Sequence, residues 1–189
     1  MKIPNTWRKK ALFIIDVQPS FIIERNKYII PRIQKIIKNI NYDLIISSIT
    51  YNKSNTQWDK QIGWLELQWK KENIIPELSE ILKTKNHIKV EKITRSIFKA
   101  DTNILEILKK EKIEEIHLVW YETNDCIMAS CFESIDLNFY TFVIEEACET
   151  RTTASNHTKA IDILKYLNLT NNSNFIWNDK IKYFIIQNI

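Results

Sequence analysis

Apolar residues along this chain follow two alternating rhythms. Short, mostly apolar runs at residues 11–17, Leu44–Thr50, 116–120 and 140–144 are too short for helices and read as strands covered on both faces. Between them the spacing changes. Ile29, Ile30, Ile33, Ile36, Ile37 and Ile40 mark a helix with one buried face, and Ile104, Leu105, Ile107 and Leu108 mark another. Ala160, Ile161, Leu164 and Leu167 share one face of a helix predicted over residues 155–167. Val90-Glu91-Lys92 closes a further short strand, and the polar stretch 51–73 reads as a lid or pocket loop. Strands alternating with helices are repeated βα units. They predict an α/β fold of three layers, α/β/α, around a mainly parallel, Rossmann-like sheet of roughly six strands.

Length and composition narrow this picture. A chain of 189 residues fits one domain, residues 1–189, and no Pro-, Gly- or Ser-rich linker divides it. The pattern holds over residues 10–167. Residues 168–189 form a C-terminal extension in which Phe175-Ile176-Trp177 and Tyr183-Phe184-Ile185-Ile186 offer a last strand or a subunit contact. The formal charge of +4 raises the question of nucleic acid, but the lysines are scattered and their runs mix signs, as in Lys109-Lys110-Glu111-Lys112. No nucleic-acid partner is expected. The basic N-terminus precedes only a short apolar run, whereas a membrane span needs about 20 apolar residues. No membrane partner is expected either, and the reading is a cytoplasmic protein. Three cysteines with no CxxC pair agree with a reducing compartment.

The candidate chemistry lies at three strand ends. Asp16 ends the first apolar run, Lys92 ends the strand Val90-Glu91-Lys92, and Cys126 follows the strand at 116–120 where helical spacing begins. In open α/β sheets the carboxyl ends of the strands hold the ligand site. A thiol at a helix start beside an ammonium has a lowered pKa, and a nearby carboxylate can carry its proton to a leaving amine. Each residue alone has an ordinary explanation. A cysteine on an apolar helix packs the core, an aspartate after a strand caps a turn, and a lysine closing a strand is solvated. Cys131 and Cys148 read as packing residues.

These residues resemble the isochorismatase-like cysteine hydrolases over about residues 10–167. Ala11-Leu12-Phe13-Ile14-Ile15-Asp16-Val17-Gln18 is similar to that family's opening strand. Lys92 with Ser96-Ile97-Phe98 resembles its Lys-x-x-x-Ser-Ala-Phe segment, and Thr123-Asn124-Asp125-Cys126-Ile127 its Thr-Asp-x-Cys-Val segment. Gly63-Trp64, Ile75-Pro76-Glu77-Leu78 and the stretch around His157 and Ala160 also match. The resemblance implies a catalytic triad of Asp16, Lys92 and Cys126. It also implies an oxyanion hole from the backbone N–H groups of Glu122 and Cys126, with a cis peptide between Tyr121 and Glu122.

Two departures stand out. Trp120 occupies a position where the family has glycine, so that either the indole shapes a pocket or the oxyanion hole is distorted. The family's nicotinamidases bind a metal through an Asp-x-His pair after the second main strand. Here Tyr51-Asn52-Lys53-Ser54 stands there, and the three histidines, His87, His117 and His157, lack ligand spacing. No metal and no other cofactor is expected.

The resemblance therefore points to a metal-independent hydrolase that cleaves a small amide or carbamoyl C–N bond through a thioester on Cys126. Enol-ether hydrolysis of isochorismate and a catalytically silent binding or assembly scaffold remain alternatives. Gln18, Trp64, Arg95, Phe98, Trp120 and Tyr121 are the candidate pocket residues. Trp58 and Trp69 lie in the same loops, and Arg95 is available to pair with a substrate carboxylate. The partners implied are a small-molecule substrate and further copies of the chain, as a dimer or tetramer.

Overall fold

The computed structural model describes residues 1–172 and 182–185. At its centre lies β2 (Lys10–Ile15), whose six residues are all buried. β3 (Leu44–Thr50) and β5 (Glu115–Tyr121) flank it, with β4 (His87–Lys92) and β6 (Tyr140–Glu149) outside them, in the order β4-β3-β2-β5-β6. Every pairing in this sheet is parallel. Side chains alternate across a strand, so Leu12 and Ile14 enter one core and Ala11, Phe13 and Ile15 the other.

Helices cover both faces and complete the three layers. α1 (Ile29–Asn39) places Ile29, Ile33, Ile36 and Ile37 on the first face, joined by Leu78 and Leu82 of α3 (Pro76–Leu82). α2 (Gln57–Lys60) is a short turn within the polar loop. The second face takes Ile104 and Leu108 of α4 (Ile104–Glu111), Cys131 of α5 (Met128–Asp136), and Ile161 and Leu164 of α6 (Ala154–Tyr166). Local chemistry sets the helix starts. Asn103 accepts a hydrogen bond from the Glu106 N–H at the head of α4, and Thr153 one from the Asn156 N–H at the head of α6.

Two expectations need correction. The main sheet has five strands rather than roughly six, because β7 (Lys182–Ile185) pairs antiparallel with β1 (Lys2–Asn5) in a separate two-stranded sheet. Phe175-Ile176-Trp177 and Ile186 lie outside the described residues. The strand read at 140–144 continues to Glu149, so Cys148 lies inside β6 rather than after it. The register explains the misreading: Leu118 pairs with Val143 but Trp120 pairs with Cys148, so β6 bulges around Glu145 and Glu146. Two charged residues at a bulge look like a strand end.

Cys131 and Cys148 are fully buried, and burial pushes the Cys131 thiol up to about 12 and raises that of Cys148 as well. A thiol whose native pKa exceeds its unfolded value of about 8.5 keeps a proton that the unfolded chain releases. Stability is therefore complete below that pH and falls above it. Unfolding free energy should drop by about 1.4 kcal/mol per pH unit for each such thiol once the unfolded chain ionises it. Urea titrations at pH 8 and pH 10 check this, and equal stabilities at the two values would refute it.

Candidate active site

Asp16, Lys92 and Cys126 meet at the carboxyl edge of the sheet. Asp16 follows β2 with a left-handed φ of 60°. Its N–H donates to the Ser48 carbonyl (3.1 Å), and its Oδ1 accepts from the Ser48 hydroxyl (2.8 Å). Lys92, the last residue of β4, extends over β3 to place Nζ 2.6 Å from Asp16 Oδ2. The same ammonium donates to the Thr94 carbonyl at 2.9 Å and to Cys126 Sγ at 3.5 Å. All three of its donors are thereby used, and its side chain is fully buried. Burial alone would lower the Lys92 pKa, but the facing Asp16 carboxylate and Cys126 sulfur hold it above the ordinary lysine value.

Cys126 lies in a single π-turn, Thr123–Ile127, that joins β5 to α5. Such turns recur at functional sites. The turn is anchored from α6, where His157 Nδ1 lies 2.9 Å from the Thr123 hydroxyl. Burial pushes the Cys126 thiol up, against the pull of Lys92 and with further push from Asp16 and Asp125. This reverses the expectation of a lowered thiol pKa. Although Cys126 is only partly buried as a residue, desolvation of its sulfur outweighs the cation and the helix start and holds the thiol above its ordinary pKa. The Tyr121–Glu122 peptide is cis.

Asp16 and Cys126 line a cavity of about 710 Å³, and Lys92, bonded to both, is buried behind them and is not itself among the lining residues. Trp64, Arg95 and Tyr121 line it, as do Trp58, Phe21, Glu66, Glu122, Asp125 and Arg151. The tryptophan pair Trp58 and Trp64 meets edge to face at 5.3 Å, and Phe21 stacks on Tyr121 at 5.1 Å. Arg95 is not open to a substrate carboxylate: it pairs with Asp125 and lies over the Trp58 ring at 4.3 Å. Three other sequence candidates are not among the lining residues. Gln18 is fully buried and ties the strand ends, its amide donating to the Thr50 carbonyl at 2.9 Å while its oxygen accepts from the Thr50 N–H. Phe98 packs between Phe13 and Phe139 in the second core.

Trp120 is 1% exposed and belongs to the first core, so its indole neither shapes the pocket nor plugs it. Its φ of 94° lies where glycine is favoured. The backbone keeps that conformation while the side chain turns into the core. Trp69 is exposed, its indole donating to the Ser54 hydroxyl.

The sequence reading missed Glu66, Thr150 and Arg151. Arg151 pairs with Glu66 and lies 3.4 Å from Glu122 Oε1, whose other oxygen accepts from the Thr150 hydroxyl at 3.0 Å. The signal was available: Thr150 and Arg151 follow β6 at the same sheet edge, and they were hidden by ending that strand too early.

The metal-binding position of the nicotinamidases does not fit here. After β3 the buried Asn52 uses its amide to hold the loop, donating to Asp59 Oδ1 at 3.0 Å and to the Trp64 carbonyl at 2.7 Å. Among the described residues no three His, Cys, Asp or Glu side chains converge on one point. His87 bonds Ser47, and His117 lies between Tyr42 and Glu115.

The isochorismatase domain model matches residues 10–172. No curated protein sequence matches the chain. An isochorismatase-like hydrolase from Alkaliphilus metalliredigens superposes with a TM-score of 0.70 at 21% identity, over 86% of this chain and 92% of that one. An N-carbamoylsarcosine amidase from Thermoplasma acidophilum gives 0.71 at 16% identity, over 90% and 99%. A yeast nicotinamidase gives 0.72 at 16% identity, over 85% and 98%. At these identities the structures speak for the fold, while the domain match covers most of the chain. The chain belongs to the isochorismatase family.

Proposed function

We propose that this protein hydrolyses an amide or carbamoyl C–N bond through a thioester on Cys126. The observation that carries the reading is the buried Lys92 ammonium, which bridges the Asp16 carboxylate and the Cys126 sulfur, both of residues that line the cavity. In the first step Sγ attacks the carbonyl carbon and Asp16 takes the thiol proton. Lys92 stabilises the sulfur as it gains negative charge. The backbone N–H groups of Glu122 and Cys126 receive the oxyanion. Asp16 then returns the proton to the leaving amine as the C–N bond breaks. Water attacks the thioester, its proton passes to Asp16, and the acid and free thiol are restored. An amidase and a nicotinamidase among the structural neighbours agree with C–N cleavage as the reaction class.

The other readings fit less well. Isochorismate carries carboxylates, yet both arginines of the cavity are already paired with acidic side chains. A silent scaffold would need its pocket filled, and the Trp120 indole that could fill it lies in the core instead. No helix among the described residues is long and apolar enough to cross a membrane. A cytoplasmic location and a dimer or tetramer belong to the same proposal; light scattering at the monomer mass would remove the assembly from it.

The test is a panel of primary amides and N-carbamoyl compounds, followed by ammonia release and by peptide mass spectrometry. An acyl adduct on the Cys126 peptide, intercepted by hydroxylamine as a hydroxamate, is the expected result. Ammonia release with no adduct under acid quench, or no release from any compound, would overturn the thioester route.

A further inference from the structure

The ion pairs around the cavity do not balance. Asp16 is matched by Lys92 and Asp125 by Arg95, one to one. Arg151, by contrast, is shared between Glu66 and Glu122. Four lining carboxylates, those of Asp16, Glu66, Glu122 and Asp125, thus share three cationic partners; Arg95 and Arg151 are the lysine, arginine or histidine residues among the described lining, and Lys92 lies buried behind it. The next cation outward, Arg25, is taken by Glu149 and by the Thr150 carbonyl. The excess negative charge falls on the Glu66–Arg151–Glu122 side of the pocket. Glu66 is half-exposed and solvated, whereas Glu122 is mostly buried, with the Thr150 hydroxyl and a shared guanidinium as its polar partners.

We infer that the substrate of this site is cationic: an amide or carbamoyl compound that carries an ammonium or guanidinium group, held by Glu122 and Glu66. The inference rests on the hydrolase reading for the reacting bond and on the ion-pair geometry for the charge. Glu122 stands four residues before Cys126 and lines the same cavity, so a group held there lies beside the reacting carbon. The aromatic walls lower the local dielectric and strengthen the field of the unbalanced carboxylate. They already accept cations, with guanidinium groups over Trp58 at 4.3 Å and over Phe21 at 5.7 Å. Burial pushes the Glu122 carboxyl up, against Thr150 and Arg151, as expected of a carboxylate without a full counter-charge. Glu122 faces Tyr121, Asp125, Thr150 and Arg151, and of these only Arg151 is positive.

Two thiol reagents with the same reactive end and oppositely charged head groups test this without requiring turnover. Trimethylammonioethyl and sulfonatoethyl methanethiosulfonate each transfer their thioethyl arm to Cys126 with release of methanesulfinate. Their rates on the native protein are normalised to those on 2-mercaptoethanol, and the labelled peptide is identified by mass. The cation should be favoured by roughly tenfold in the native protein, and the preference should shrink several-fold in Glu122→Gln and less in the half-exposed Glu66→Gln. A normalised ratio of one or below would overturn the inference. So would a preference unchanged in both variants, or failure of both reagents to reach Cys126. Cation preference without turnover of any amide would sink the hydrolase and leave the charge assignment standing. Turnover of neutral amides with no preference would do the reverse.

Discussion

Cys126→Ala should abolish amide turnover, with a loss of at least about 10⁴-fold in kcat, the scale seen when a covalent nucleophile is removed. The reason is specific to this site. Asp16 is held by Ser48 and Lys92 beside the sulfur, so without the thiol no group is positioned to form an acyl intermediate. Water in its place would lack both the sulfur's nucleophilicity and its fixed approach. The matched control is Cys131→Ala, which empties a core position away from the cavity and should leave turnover within a few-fold in whatever fraction folds. Steady-state ammonia release decides the matter. A Cys126→Ala protein that turns over at the wild-type rate would exclude the thioester route and favour thiol-independent enol-ether hydrolysis.

The next largest effect is expected on folding. Lys92→Ala and Asp16→Ala should each cost about 3–5 kcal/mol of stability, because each leaves its partner charged and buried. Lys92 is wholly enclosed and Asp16 is 2% exposed, so neither can recover hydration locally. The double variant Lys92→Met with Asp16→Leu removes both charges and should regain much of the loss while remaining inactive. Its stability therefore separates the cost of an orphaned charge from the cost of lost packing. Because Lys92 is held above its ordinary value, its contribution is complete below the unfolded lysine pKa of about 10.4 and fades only as pH rises through the folded value. Urea denaturation at pH 7 measures the whole effect. Single variants as stable as wild type would show that the pair is not buried in solution.

How far the sequence could be read depended on whether the signal was local. β2 and β3 announced themselves because central parallel strands are covered on both faces and read as short runs of apolar and small residues. The isoleucines of α1 marked a helix because one face is buried. β6 was truncated because its bulge is a matter of pairing with β5, which no single strand reveals. Among the pocket candidates, Trp64, Arg95 and Tyr121 line the cavity, whereas Gln18, Phe98 and Trp120 turn away from it. Each of the latter is used elsewhere, Gln18 on the Thr50 backbone, Trp120 in the first core and Phe98 against the second. Arg151 and Glu66, separated by 85 positions, meet only in the folded chain.

The order of apolar runs and helical faces thus determined the layered α/β fold. The residues at three strand ends, Asp16, Lys92 and Cys126, marked the edge at which the site would stand. Both are encoded locally, in periodicity and in where a strand stops. Only the tertiary structure decided the electrostatics of the site. It desolvated the Cys126 sulfur enough to raise its pKa, spent Arg95 on Asp125, and left Glu66 and Glu122 sharing one guanidinium. Charge states and ion pairs depend on burial and on distances between residues far apart in sequence, and those distances exist only once the sheet has assembled.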